Sequence, residues 1–126
     1  MSERTIRIEA DGVTVYAALN DSPMAEALWT ALPIEGRAQT WGDEIYFRIP
    51  VDEPDDADEG EETVALGSIG YWPPGKALCF FFGRTPMSVG DEIRPASAVH
   101  VMGMIEGDST VLKRISSGAA VSVDAA

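Results

Sequence analysis

Hydrophobic and polar positions alternate at period two along most of the chain, in short runs. From Thr5 to Ala10, Ile6, Ile8 and Ala10 fall on one side and Arg7 and Glu9 on the other, and Val13, Val15, Ala17 and Leu19 resume the alternation after Asp11-Gly12. An Asp-Gly pair between two such runs predicts a hairpin, because the tight turn that matches strand twist needs positive φ at both central positions. Ser22-Pro23 breaks the pattern: a hydroxyl able to accept a backbone N–H precedes a proline suited to a first helical turn. Met24, Leu28 and Leu32 then fall four apart and stop at Pro33, which predicts a short helix. A second hairpin is expected at Gly42-Asp43, leading into Glu44 to Ile49, with Ile45, Phe47 and Ile49 facing one way and Glu44, Tyr46 and Arg48 the other.

Further along, Val64 and Leu66 are expected to begin a strand, and Gly70 to Gly75 reads as a rigid aromatic loop. Ala77 to Phe82 is so continuously apolar that both faces of that strand should be covered. Val99, Val101, Gly103 and Ile105 mark another strand. Asp108 or Ser109 can cap a second short helix through Leu112 and Ile115, closed by Gly118, and Ala120 to Asp124 reads as the last strand. About eight short strands and two short helices predict an all-β barrel or sandwich, since strands this short must curl on each other to hide an apolar face and their edges. With no internal repeat and no linker, residues 1–126 are expected to form a single domain.

Composition agrees with a globular chain: 126 residues, 45 % hydrophobic and 24 % charged, are enough to bury roughly two-thirds of the unfolded surface without a disulfide or metal. The 21 acids and 9 bases give a net charge of −12, which argues against nucleic acid and anionic membranes as partners, since both demand a basic patch. No apolar run is long enough for a membrane span, Met1 to Ile8 lacks the apolar core of a signal peptide, and the single cysteine, Cys79, cannot form an internal disulfide. A cytoplasmic location is the expectation. The charge is concentrated: Asp52 to Glu62 holds eight of the 21 acids, leaving 13 against the 9 bases elsewhere. This acidic loop at about 52–62 is expected to be solvated, and its spacing does not match a calcium loop, since Gly60 follows Asp56 by four positions rather than five.

Few residues suggest chemistry. Gly70 to Lys76 has the spacing of a phosphate-binding loop, but two prolines remove N–H donors and Ala77 replaces the required Ser or Thr. His100 is the only histidine, which excludes a multi-histidine metal site, and Cys79 among Leu78, Phe80, Phe81 and Phe82 reads as core filling. No metal or cofactor is expected. The aromatics stand out, because Trp41, Tyr46, Tyr71 and Trp72 fall at turns or on the polar side of strands, with Glu44 and Arg48 on the Tyr46 side. Rings with a few polar neighbours are how small-ligand and peptide grooves are built.

Four stretches then carry a resemblance: Ala27-Leu28-Trp29 through Leu32-Pro33, Trp41 to Phe47, Gly67 to Gly75 with its Tyr-Trp-Pro-Pro-Gly, and Phe82-Gly83-Arg84-Thr85-Pro86. Together they resemble short prokaryotic cyclophilin-like domains of unassigned function. The resemblance implies a closed eight-stranded antiparallel barrel with two short capping helices, and a ligand groove on the outer barrel face. It would place Phe81 at the hydrophobic pocket. Peptidyl-prolyl isomerases of that family carry a phenylalanine-histidine-arginine segment, whereas Glu44 and Ile45 stand near the arginine's place here, and an acid cannot donate an arginine's hydrogen bonds.

The expectation is therefore a binding domain for a small molecule or peptide, with Trp41, Glu44, Tyr46, Tyr71, Trp72, Phe81 and His100 as candidate ligand-binding residues. The alternatives are a peptidyl-prolyl isomerase with a rearranged site, and a small hydrolase or lyase using Glu44 as general base with Tyr46 or His100 as partner.

Overall fold

In the computed structural model, which describes residues 4–126, nine strands form one antiparallel sheet that curls into a nearly closed barrel. The first three residues of the Met1–Ile8 segment lie outside the described residues. The strands are β1 (Arg4–Ala10), β2 (Val13–Leu19), β3 (Ile34–Arg37), β4 (Gln39–Thr40), β5 (Glu44–Arg48), β6 (Ser68–Trp72), β7 (Ala77–Phe81), β8 (His100–Ile105) and β9 (Ala120–Ala125). Around the sheet they run β3-β9-β1-β2-β8-β6-β7-β5-β4.

The ninth strand corrects the eight expected, and one residue accounts for it. The two edges of the sheet, β3 and β4, are consecutive pieces of one segment interrupted only at Ala38. Its first half pairs with β9 and its second half with β5, so the chain itself closes the barrel where the ladder changes partner. Ala38 remains buried and keeps backbone bonds to Gly118 and Ala119. Beside it, a Cβ on Gly36 would fall 2.4 Å from the Phe47 ring, so only glycine lets β3 and β5 close over that side chain.

The Asp11-Gly12 hairpin forms as expected, with φ of 52° and 79° at the two residues. Helix α1 (Pro23–Ala31) starts at Ser22, whose hydroxyl accepts the Ala25 N–H, and drives Met24, Ala25 and Leu28 into the barrel. The second expected helix is a 3-10 segment, Ser109–Arg114, capped by the Asp108 carboxylate. It seats Leu112 against the core. None of the helices is long and apolar enough to cross a membrane.

Two expectations shift. Val64 makes only an isolated bridge to Ile93, and the strand begins at Ser68. The aromatic loop is also shorter than expected, because Gly70, Tyr71 and Trp72 belong to β6 and only the 3-10 turn Pro73–Gly75, followed by left-handed Lys76, connects to β7. A strand on each side confirms that the glycines here do not form a phosphate loop.

The interior holds one apolar cluster, including Ile6, Ile8, Ile45, Phe47, Ile69, Tyr71, Leu78, Phe80, Met102 and Val123. A second cluster lies on the outer face of β7, where Ala77, Cys79 and Phe81 pack with Ile93 and Val99. Segment 82–99, which lacks regular secondary structure, folds back over this face. All five residues of β7 are therefore buried, as its unbroken apolar run implied.

Candidate functional site

The outer cluster does not fill the space beneath the covering segment. A cavity of about 240 Å³ remains, lined by Trp41, Glu44, Tyr46, Trp72, Pro95, Ala96 and Val99. Local geometry builds it strand by strand. On β5 the alternation sends Ile45 and Phe47 inward, leaving Glu44 and Tyr46 outward. On β6 the same period puts Ile69 and Tyr71 inside and Trp72 outside. Between them β7 carries Cys79 and Phe81, paired across the ladder with Tyr46 and Glu44 respectively, in the buried cluster against which Tyr46 and Trp72 pack.

The covering segment is fastened at several points. Thr85 donates its hydroxyl hydrogen to the Arg94 carbonyl, and Ser88 Oγ accepts the N–H of Thr85 at 3.0 Å and of Arg94 at 3.2 Å. The Val64 N–H bonds the Ile93 carbonyl at 3.0 Å, and Asp43 N–H bonds the Arg84 carbonyl at 2.8 Å. Two glycines permit the close approach. A Cβ on Gly70 would meet Val99 at 3.0 Å, and one on Gly42 would meet the Arg84 carbonyl at 2.9 Å.

Trp72 is held from two sides. Its indole Nε1 donates to Ser97 Oγ at 2.7 Å, tying β6 to the covering segment. Its ring also lies over Gly75, where a Cβ would come within 2.7 Å. This leaves the indole in one place with no need of a ligand to order it.

Glu44 is the chemical centre of the cavity and the one charged side chain that lines it. Although its strand position is outward, the covering segment leaves the residue only 5 % exposed. Burial raises its pKa to about 7, and a hydrogen bond with the Cys79 thiol offsets part of that rise. Its Oε1 is buried without a hydrogen-bond partner. Burial and the neighbouring Glu44 push the Cys79 thiol well above its usual range, so it is a poor nucleophile.

Of the candidates named from sequence, Trp41, Glu44, Tyr46 and Trp72 come together here, with Phe81 beneath them. Tyr71 does not join them. It points into the interior, 1 % exposed, and its hydroxyl donates to the Val51 carbonyl at 2.7 Å. The reason is phase: with the strand starting at Ser68, Tyr71 shares the face of Ile69. His100 is also elsewhere, and is buried. Its ring stacks on Tyr71 at 6.5 Å, its Nε2 contacts the Glu53 carboxylate, and it lines a different, polar hollow with Asn20, Ser22 and residues 58–61. Arg48 is exposed and outside the groove.

The sequence reading missed Pro95, Ala96 and Val99, because segment 82–99 has no periodicity to place it. It also missed the acidic loop's fastenings. The loop's carboxylates are mostly exposed, yet Asp52 pairs with Lys76 at 2.5 Å, Glu53 reaches His100, and Glu61 bridges to Val99. Among the described residues, no three His, Cys, Asp or Glu side chains converge as metal ligands would.

Comparison with known proteins supports the architecture. The cyclophilin-like family model matches residues 4–124. Among solved structures, the chain is similar to a hypothetical protein of Archaeoglobus fulgidus determined in solution. The two share 40 % identity and a TM-score of 0.82 over 98 % of this chain and 95 % of that one. It also resembles McbB, solved in complex with tryptophan, at 17 % identity and a TM-score of 0.70, over 94 % of this chain and 44 % of McbB, a likeness of fold. No curated protein matches the chain.

Proposed function

The chain belongs to the cyclophilin-like family, and on that premise we propose that it is a binding domain whose ligand, a small molecule or peptide, occupies the outer-face groove between β5, β6 and segment 82–99. One observation carries this reading: a buried carboxyl group with an unpartnered oxygen opens on an otherwise apolar cavity bordered by three aromatic residues. Unpaired buried acceptors cost about 1–3 kcal/mol, so a protein that only needed a packed barrel would gain by filling the space or replacing the acid. Concave, mostly apolar sites with one or two placed polar groups are the usual form of ligand pockets. The cavity is smaller than the ~300–1,000 Å³ typical of drug-sized ligands, which favours a compact ligand or a single side chain of a peptide. A ligand screen read by backbone-amide NMR tests the reading. Shifts should cluster on Trp41, Glu44, Tyr46 and Trp72, and a screen whose hits never cluster there would end it.

A second reading, a small hydrolase or lyase with Glu44 as general base, draws support from the carboxyl pKa of about 7, which suits proton transfer near neutral pH. Tyr46 lines the same cavity and is the available partner, whereas His100 does not. Such an enzyme should lose its activity in Glu44→Gln and follow an ionisation near neutrality. Turnover unaffected by that substitution would exclude it. Isomerase chemistry has less support, since no arginine is among the described residues that line the groove.

A further inference from the structure

We propose that the ligand of the groove is a small organic cation, an amine or quaternary ammonium group seated against Trp41, Tyr46 and Trp72 with Glu44 as its counter-charge. The inference rests on the groove being a binding site and adds the chemical class of what it takes.

Charge gives the first argument. Glu44 is the only charged side chain in the lining, and its Oε1 has no partner within the protein. No lysine or arginine lines the cavity, and two bases on the neighbouring elements are paired elsewhere, Arg94 with Glu92 at 2.6 Å and Lys76 with Asp52 at 2.5 Å. A ligand that brings a positive charge or a donor would complete this carboxylate. An anionic ligand would add a second negative group beside a buried carboxylate, in a protein of net charge −12. That same net charge raises the local concentration of cations around the molecule.

The walls give the second. Three of the seven lining residues are Trp41, Tyr46 and Trp72, and the rest are Pro95, Ala96 and Val99 beside Glu44. Aromatic faces attract cations through the ring quadrupole, Trp most strongly, and the attraction grows where water is excluded. A neutral amide donor would satisfy Oε1 but leave the rings to contribute packing alone. The Trp72 indole is already fixed by Ser97 and Gly75, so little order has to be imposed when the ligand arrives. A cavity of about 240 Å³ restricts the cation to a small headgroup.

The test compares choline with its neutral carbon isostere, 3,3-dimethylbutan-1-ol, by NMR titration of the intact protein and of Glu44→Gln. The expected result is that choline shifts the indole N–H signals of Trp41 and Trp72, and that the isostere binds at least about tenfold more weakly because it lacks the charge. At about pH 8, where the Glu44 carboxyl is ionised, Glu44→Gln should weaken choline by about 30-fold while leaving the isostere nearly unchanged. The methyl spectrum of the variant verifies that the barrel is intact. Equal binding of choline and isostere at these indoles would overturn the cation assignment and leave the groove standing as a neutral site. Choline binding unchanged by Glu44→Gln would also overturn it. Absence of any indole shift with either compound would overturn it and count against the groove itself.

Discussion

The carboxyl group of Glu44 and the thiol of Cys79 lie side by side on the outer face of the barrel, on neighbouring strands, both buried beneath the covering segment. Each is made harder to ionise by its surroundings: burial raises both, and the neighbouring carboxylate raises the thiol further. Two adjacent acids that resist ionisation, one of them lining the groove, give the fold a pH signature and a chemical one.

Stability should fall as pH rises through the range from about 4.5 to about 7. Glu44 titrates near 4.5 when unfolded and about 7 in the fold, so in that window the folded state keeps a proton the unfolded chain has released. The stabilisation from this group is complete below the lower value, and above the upper one the loss is on the order of 3 kcal/mol. Asp52, Glu92 and Asp108, whose pKa values are lowered by Lys76, Arg94 and Thr110, act oppositely and at more acid pH. Urea unfolding of the protein and of Glu44→Gln across this range isolates the effect. Parallel curves for the two would contradict it.

Cys79 should be inert to thiol reagents while the barrel is folded. Its side chain is buried and its pKa well above the usual value, so almost none is thiolate at neutral pH. Reaction with a chromogenic disulfide should start only when denaturant opens the barrel. Modification at the rate of an exposed thiol would show that the covering segment opens readily.

Gly75→Ala should displace the Trp72 indole rather than unfold the protein. The added methyl would sit 2.7 Å from the ring, and the ring is partly exposed, so it can swing outward at the loss of its bond to Ser97, about 1 kcal/mol. The indole N–H signal of Trp72 should move, and binding in the groove should weaken. An unchanged indole environment would show that the turn, not the ring, gives way.

Tyr71→Phe separates two aromatic residues that are adjacent in sequence. Loss of the hydroxyl leaves the Val51 carbonyl without this donor, at a cost of about 1–2 kcal/mol to folding, and should leave groove binding as it was. A binding defect without a stability loss would place Tyr71 in the groove after all.

The barrel was legible because its strands obey period two wherever one face meets the core. Ile6 and Ile8, Ile45 and Phe47, and Val121 and Val123 all face inward in the spacing their alternation requires. The covered outer face was legible only as the unbroken apolar run of β7, which said that something lies over it but not what. Segment 82–99 carries no period, and its path is set by hydrogen bonds of Thr85 and Ser88 within it and by close approaches to Gly42 and Gly70, which are distant in sequence. That is also why the depth at which Glu44 is buried could not be read from its outward strand position. Tyr71 was misplaced because the Pro-Pro-Gly turn made the three residues before it look like loop, whereas they end a strand whose alternation turns Tyr71 inward.

The most direct measurement follows the three tryptophan indole N–H signals as compact ligands are titrated. Trp29 serves as an internal control: it lies on α1, where the Arg4 guanidinium stands 5.9 Å from its ring, and it does not line the groove. Binding in the groove predicts saturable shifts of Trp41 and Trp72 with Trp29 unmoved. Ligands that bind while leaving Trp41 and Trp72 in place, or that shift the residues around His100 instead, would contradict it.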